Sequence, residues 1–285
     1  MTNVKIRIQE VYEALSVVEK KVADYFLEHT EEVFNLPIGE LASRSGVSKV
    51  AWVRFSKALG FEGLKDLKKA VFADLQKNAD ETAPPLPFSD VGDAENISVL
   101  LESTKSNAIR AIQDTATLLD AKAVEMAAQK ILCADSVRIF GVGASGLVGE
   151  DLQSKLLRIN KNAFFSLDHH LQLVYAANMS VRDVAVLISM SGNTKEVLEI
   201  LALAKDAGTP VIAITKFGKN TLSQSADIVF HVSAPEIAQR SGAMSSRIAQ
   251  LLAVDVLFSA VAHMDYDHVS VHLEKSRNST RSHHL

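Results

Sequence analysis

The sequence predicts a small all-α helix-turn-helix domain followed by an α/β domain, whose five-stranded parallel sheet carries helices on both faces. Three observations predict it. Three of the six prolines fall within residues 81–93, where proline removes backbone donors and blocks helix formation. Everything before this segment reads helical. After it, five short apolar runs alternate with helical stretches, the pattern of a parallel sheet covered on both sides. The expected organisation is an all-α domain over residues 1–80, a linker over 81–93, an α/β domain over 94–270, and a tail over 271–285 that is polar and frays from Glu274.

In the first domain, the run from Pro37 to Ser48 spells a helix, a turn and the start of a second helix. Ile38, Leu41 and Ala42 share a core face. Gly46 stands where the chain must turn left-handed. Val47 plugs the turn and Ser48 caps the next helix. That helix, residues 49–59, is expected to put Val53 inside and Arg54 and Lys57 outside. Its N-terminal end then meets base edges in the DNA major groove. Charge supports this. Between Arg44 and Lys69 there are seven basic residues (Arg44, Lys49, Arg54, Lys57, Lys65, Lys68 and Lys69) against Glu62 and Asp66, although residues 1–80 carry no net charge. Positive charge focused in this way suits phosphate contacts. The expected DNA-binding residues are Arg44, Ser48, Lys49, Arg54, Lys57, Lys65 and Lys68.

In the second domain, residues 94–130 read as two helices, with a stripe through Ile97, Leu100, Leu101, Ala108, Ile109 and Ile112. The first strand, Ser136 to Phe140, runs into Gly141-Val142-Gly143-Ala144-Ser145-Gly146 and a helix from Leu147. These letters spell a dinucleotide fingerprint. However, no acidic residue ends the next strand, 162–166, until Asp168. The third strand, 183–188, leads into Ser189-Met190-Ser191-Gly192-Asn193-Thr194 and an amphipathic helix. Three hydroxyls and a glycine at a helix N-terminus suit a phosphate, because unpaired N–H groups and the positive end of the macrodipole lie there. One cap needs only one hydroxyl, and a dinucleotide site needs no such second loop. No Gly-Lys-Ser/Thr is present, which excludes a nucleoside-triphosphate P-loop. Residues 210–215 and 227–232 supply the last two strands.

Composition bounds the rest. The chain has 285 residues, 47% hydrophobic and 22% charged, with a net charge of −4. Cys133, the single cysteine, excludes an internal disulfide and a cysteine-based zinc cluster, and neither a metal nor a cofactor is expected. Residues 1–10 lack a signal-peptide apolar core. The apolar run 248–263 contains Gln250 and Asp255 and is short for a membrane span. No membrane partner is expected, and the expected address is the cytoplasm.

The two glycine- and hydroxyl-bearing loops resemble those of the SIS (sugar isomerase) domain, which binds phosphosugars. In that family the S-x-S-G-x-T turn holds the phosphate, which implies this role for Ser189, Ser191 and Thr194, with Ser145 from the first loop. Leu41-Ala42 through Gly46-Val47-Ser48, Val53-Arg54-Phe55, Leu59-Gly60-Phe61 and Gly63 to Lys68 resemble the N-terminal motif of the RpiR family of bacterial transcription regulators. That family joins such a motif to a SIS domain. It usually has Ser or Thr where this chain has Ala51, so a base or phosphate contact is expected to be lost here. The segment Arg240 to Gln250 resembles members that sense amino-sugar phosphates, regulators of N-acetylmuramic acid and sialic acid catabolism. The resemblance implies that Glu236 and Arg240 lie near the ligand. His169 and His170 follow the second strand, and two readings stay open for them: donors to a sugar or phosphate, or exposed residues beside a helix cap made by Asp168. The implied function is a homodimeric repressor on double-stranded operator DNA, relieved by an N-acetylhexosamine 6-phosphate, N-acetylmannosamine 6-phosphate first. The alternative is a phosphosugar isomerase or lyase using Glu236, His169 and His170.

Overall fold

The computed structural model describes residues 3–77, 97–234 and 243–281. The chain divides into two compact units, Met1–Pro87 and Phe88–Leu285. The linker expected over 81–93 lies outside the described residues.

The first unit is helical throughout: α1 (Asn3–Val11), α2 (Val17–Glu28), α3 (Thr30–Asn35), α4 (Ile38–Arg44), α5 (Lys49–Ala58) and α6 (Leu64–Lys77). Local chemistry sets the boundaries. Ser16 and Glu19 form a reciprocal capping box at the start of α2. Gly46, at φ +65°, ends the turn after α4, and the Val47 N–H donates back to the Ala42 carbonyl at 3.1 Å. Ser48 caps α5 by accepting from the Ala51 N–H at 3.2 Å. Trp52 and Phe55 are fully buried, and the Trp52 indole N–H donates to Ser45 Oγ at 3.0 Å, tying α5 to the turn. Two expectations are corrected here. The inward face of α5 is Ala51, Trp52, Phe55 and Ser56, while Val53 is only half-buried. The large aromatic rings fill the centre, so the helix is rotated to admit them. Ala51 is only 5% exposed, so a hydroxyl at this position would face the bundle rather than DNA.

The second unit opens with α7 (Ile97–Leu118) and α8 (Ala121–Cys133). It continues as β1 (Val137–Phe140), α9 (Ala144–Arg158), β2 (Ala163–Phe164), α10 (His169–Ala177), β3 (Val184–Ile188), α11 (Lys195–Asp206), β4 (Val211–Lys216), α12 (Thr221–Ser225), β5 (Ile228–Val232), α13 (Met244–Met264) and α14 (Tyr266–Arg281). The five strands pair in the order β2-β1-β3-β4-β5, all parallel. This is the flavodoxin-like order rather than that of a dinucleotide-binding fold. All five residues of β3 are buried because helices cover both faces. Val184, Val186 and Ile188 join one apolar cluster with residues of α8, α9 and α13; Ala185 and Leu187 join another with residues of α10, α11 and α12.

α13 is long and apolar enough to cross a membrane by length and composition. Here it packs against α7, α8 and α9, and its Asp255 pairs with Lys155 at 3.0 Å. The tail, expected to fray from Glu274, is instead helical to Arg281. Val269 is buried, and the Ser276 hydroxyl donates to the Arg158 carbonyl at 2.9 Å, fixing α14 to the end of α9.

Asp183 anchors the entry to β3. Burial alone would raise its carboxyl, but hydrogen bonds from the Ser136 hydroxyl and from the Ser180 hydroxyl and amide, with Arg138 nearby, carry it below the ordinary value. A carboxyl depressed in the folded state contributes stability that is present above its unfolded value, about 3.9, and is lost as pH falls through the folded value. Thermal melts across pH should therefore show Asp183→Asn less stable than wild type at neutral pH, with the gap narrowing below about pH 4.

Candidate functional site

In an open parallel sheet, chains leaving the carboxyl ends of adjacent strands in opposite directions open a crevice at the point where the strand order reverses. Here that point lies between β1 and β3. The chain from β1 enters α9 on one face and the chain from β3 enters α11 on the other. The two exits are in close register: a Cβ on Gly141 would lie 3.0 Å from the Ser145 carbonyl and 3.2 Å from the Ile188 carbonyl.

The loop after β3 gathers its hydroxyls. Ser189 Oγ and Thr194 Oγ1 lie 2.8 Å apart, and Ser191 Oγ lies 3.3 Å from the same threonine oxygen. The Gly192 and Asn193 N–H groups donate to Ser189 Oγ and Ser191 Oγ at 3.1 and 3.2 Å. Thr194 is the N-cap residue of α11 but makes no side-chain cap bond; its hydroxyl faces the two serines instead. The start of α9 is similar, with Gly143 (φ +56°) as its uncapped N-cap residue. Two helix N-termini thus present their positive ends at the same sheet edge.

A brace that the sequence did not announce holds this loop. Asn193 Oδ1 accepts from the Thr221 N–H at 3.1 Å and from its hydroxyl at 2.8 Å, and the Leu222 N–H donates to the Gly192 carbonyl at 3.0 Å. Gly192 has φ +64°, and a Cβ there would fall 1.9 Å from Asn220 Oδ1. Gln172, fully buried on α10, likewise donates to the Gly141 and Ser166 carbonyls at 2.9 and 2.7 Å.

Of the remaining expected residues, Ser145 lies in the first turn of α9, which begins three residues before the expected start because Gly143 turns the chain directly into the helix. Its hydroxyl meets Gln250 of α13, with 3.1 Å between Ser145 Oγ and Gln250 Nε2. Asp168 caps α10, accepting from the His170 and Leu171 N–H groups at 2.8 and 3.2 Å. His169 turns towards α11, its Nε2 3.5 Å from Glu199 Oε2, and His170 is exposed. Glu236 and Arg240 lie outside the described residues. Among the described residues, no group of three or more His, Cys, Asp or Glu is placed to hold a metal ion.

In the first unit, Lys49, Val50, Arg54, Lys57 and Lys65 stand on the exposed surface. Three other expected DNA contacts have structural partners. Ser48 is spent on the α5 cap. Arg44 pairs with Glu32 at 3.1 Å, and the same carboxylate accepts from the Tyr25 hydroxyl at 2.6 Å. Lys68 donates to the Leu36 carbonyl, and burial pushes its ammonium below the usual lysine value.

Comparison with known proteins fits both units. Residues 2–78 match the helix-turn-helix domain of the rpiR family, and residues 130–260 match the SIS domain. The HTH-type transcriptional regulator YbbH of Bacillus subtilis (strain 168) is 37% identical over 276 residues, 96% of each chain. This chain belongs to the rpiR family of helix-turn-helix transcription regulators. A second relative, the HTH-type transcriptional regulator TTE0211 of Caldanaerobacter subterraneus subsp. tengcongensis, is 35% identical over 97% of this chain and 96% of its own. Among solved structures, the Vibrio vulnificus NanR protein complexed with ManNAc-6P covers 98% of both chains at 28% identity, with a TM-score of 0.61. The sugar isomerase domain of an RpiR transcription factor from Sphaerobacter thermophilus shares the fold of the second unit. It is 20% identical, has a TM-score of 0.56, and covers 63% of this chain and 98% of its own.

Three outcomes follow from this geometry. Gly192→Ala should lower stability by about 1–3 kcal/mol, from overpacking against Asn220 and an unfavourable positive φ, as a thermal or urea melt would show. Arg54→Ala and Lys57→Ala should each weaken operator binding in mobility-shift titrations, by about 1–3 kcal/mol where the contact is to a base edge. Lys68→Ala should show its effect in the melt instead.

Proposed function

We propose that this rpiR-family regulator binds a phosphosugar in the crevice between β1 and β3, and that this binding changes its affinity for operator DNA. The observation that carries the reading is the hydroxyl loop. Ser189, Ser191 and Thr194 converge on one another at the mouth of α11, and Thr194 leaves the cap position unbonded. Hydroxyl donors beside backbone N–H groups at a helix N-terminus are suited to an anion with several acceptor oxygens. Ser145 approaches from the other exit of the crevice. His169, His170 and Glu236 are assigned to discrimination among sugars, and Arg240 to the neighbourhood of the ligand.

The favoured effector is an N-acetylhexosamine 6-phosphate, with N-acetylmannosamine 6-phosphate first and N-acetylmuramic acid 6-phosphate second. The whole-chain similarity to NanR, a protein complexed with ManNAc-6P, supports that order. The proposed output is repression of amino-sugar catabolic genes, relieved by the sugar. The proposed state is a cytoplasmic homodimer on a palindromic site, for which the exposed side chains Ile97, Leu101, Ile109 and Ile112 of α7 offer apolar surface. No turnover is part of this function, so incubation with these phosphosugars should leave them chemically unchanged. Linkage is reciprocal: a sugar that releases DNA must bind the DNA complex more weakly than the free protein.

Ser189→Ala should cost about 1.5–3 kcal/mol of phosphosugar affinity, because a charge-assisted bond is removed. The measurement is a titration of the operator complex with each phosphosugar, wild type beside variant. If phosphosugars release the variant as readily as wild type, the loop does not hold the phosphate and the reading fails.

A further inference from the structure

Beyond its first turn, the inward face of α13 buries one polar side chain among the described residues. Ala249, Ala253, Val254, Leu257 and Val261 are fully buried and apolar, whereas Gln250 is a carboxamide only 1% exposed. Burying an amide costs free energy unless it is hydrogen-bonded. Its partner is Ser145, 105 residues away in sequence. Gln250 Nε2 lies 3.1 Å from Ser145 Oγ, and Gln250 Oε1 lies 3.2 Å from the same oxygen. Either group is therefore within reach to act as donor.

We propose that Gln250 is a positioning residue for the phosphosugar site, one that commits the Ser145 hydroxyl proton to an acceptor-only ligand. This rests on the function proposed above. A serine hydroxyl carries one proton and two lone pairs, and a carboxamide carries both a donor and an acceptor. With the crevice empty, Gln250 Oε1 takes the Ser145 proton and neither group is left unsatisfied. A phosphate dianion only accepts, so Ser145 must turn its proton to the ligand. The Ser145 oxygen is then held by the Gln250 N–H, which stays buried and satisfied. A carboxylate at 250 fails in this role. It competes for the one Ser145 proton and repels the ligand across a short distance. A neutral apolar side chain leaves Ser145 unoriented.

The test is calorimetric titration of the full-length protein with N-acetylmannosamine 6-phosphate between about pH 5 and pH 8. Each variant is compared with wild type at the same pH, so that the titration of the ligand itself cancels. Gln250→Met is expected to weaken binding about tenfold at every pH. Gln250→Glu, whose carboxyl is raised by burial at this position, is expected to bind closer to wild type near pH 5, where the neutral acid still carries a donor and an acceptor, and to fall about tenfold below the methionine variant by pH 8, as its carboxylate ionises. The double variant Ser145→Ala/Gln250→Met is expected to bind no more weakly than Ser145→Ala, because Gln250 acts through that hydroxyl. The methionine variant and this cycle carry the test alone if the buried charge of Gln250→Glu prevents folding. Wild-type affinity in Gln250→Met, or fully additive losses in the double variant, would overturn the role of Gln250 and leave the proposed function standing. If wild type binds neither this sugar nor N-acetylmuramic acid 6-phosphate, the proposed function falls and this inference falls with it.

Discussion

The pairing of β1 with β3 is the constraint on which the second unit depends. Parallel strands require a crossover connection, and a right-handed crossover puts its helix on one face of the sheet. The chain leaves β1 for α9 and α13's side of the sheet, and leaves β3 for the side of α10 and α11. The two chains therefore part at the carboxyl ends of these strands. The crevice is thus a product of strand order, and the residues that end β1 and β3 become its walls whatever their chemistry. Gly141 sits between the two exits, with carbonyls from both closing on the position its Cβ would take.

A crevice becomes a binding site when its donors are held in place before the ligand arrives. Here the fixing is done from outside the hydroxyl loop. Thr221 and Leu222, at the start of the short α12, hold Asn193 and Gly192. Gln172 draws the exits of β1 and β2 together from α10, and Gln250 reaches Ser145 from α13. These partners come from three different helices, α10, α12 and α13. Each is a neutral amide, hydroxyl or backbone group, which adds hydrogen bonds without adding negative charge at the crevice.

The first unit separates two uses of basic side chains. Arg54 and Lys57 lie on the face of α5 opposite Trp52 and Phe55, so the aromatic core decides by its bulk which side of that helix meets solvent. Arg44 and Lys68 belong to the same basic run but answer to internal partners, Glu32 and the Leu36 carbonyl. A local charge count treats all of them alike, whereas folding has already assigned two to holding the bundle together.

Local signals in the sequence were enough for much of this. The alternation of apolar strands with helices gave the parallel sheet, because a strand buried on both faces must be apolar along its length. Gly46 and Ser48 marked the turn before α5, because few residues tolerate a left-handed backbone or cap a helix well. The hydroxyls of Ser189, Ser191 and Thr194 were legible because they are close in sequence and end a buried strand. Tertiary structure decided what rests on distant partners. Which face of α5 is buried followed from packing Trp52, and so moved Val53 outward and Ala51 inward. Residues 271–281 form helix because Val269 and Ser276 find partners on the body of the unit. Gln250 stood in the sequence as a polar interruption of an apolar run. Its pairing with Ser145 is settled by how α13 and α9 pack against each other on one face of the sheet, a contact that no periodicity encodes.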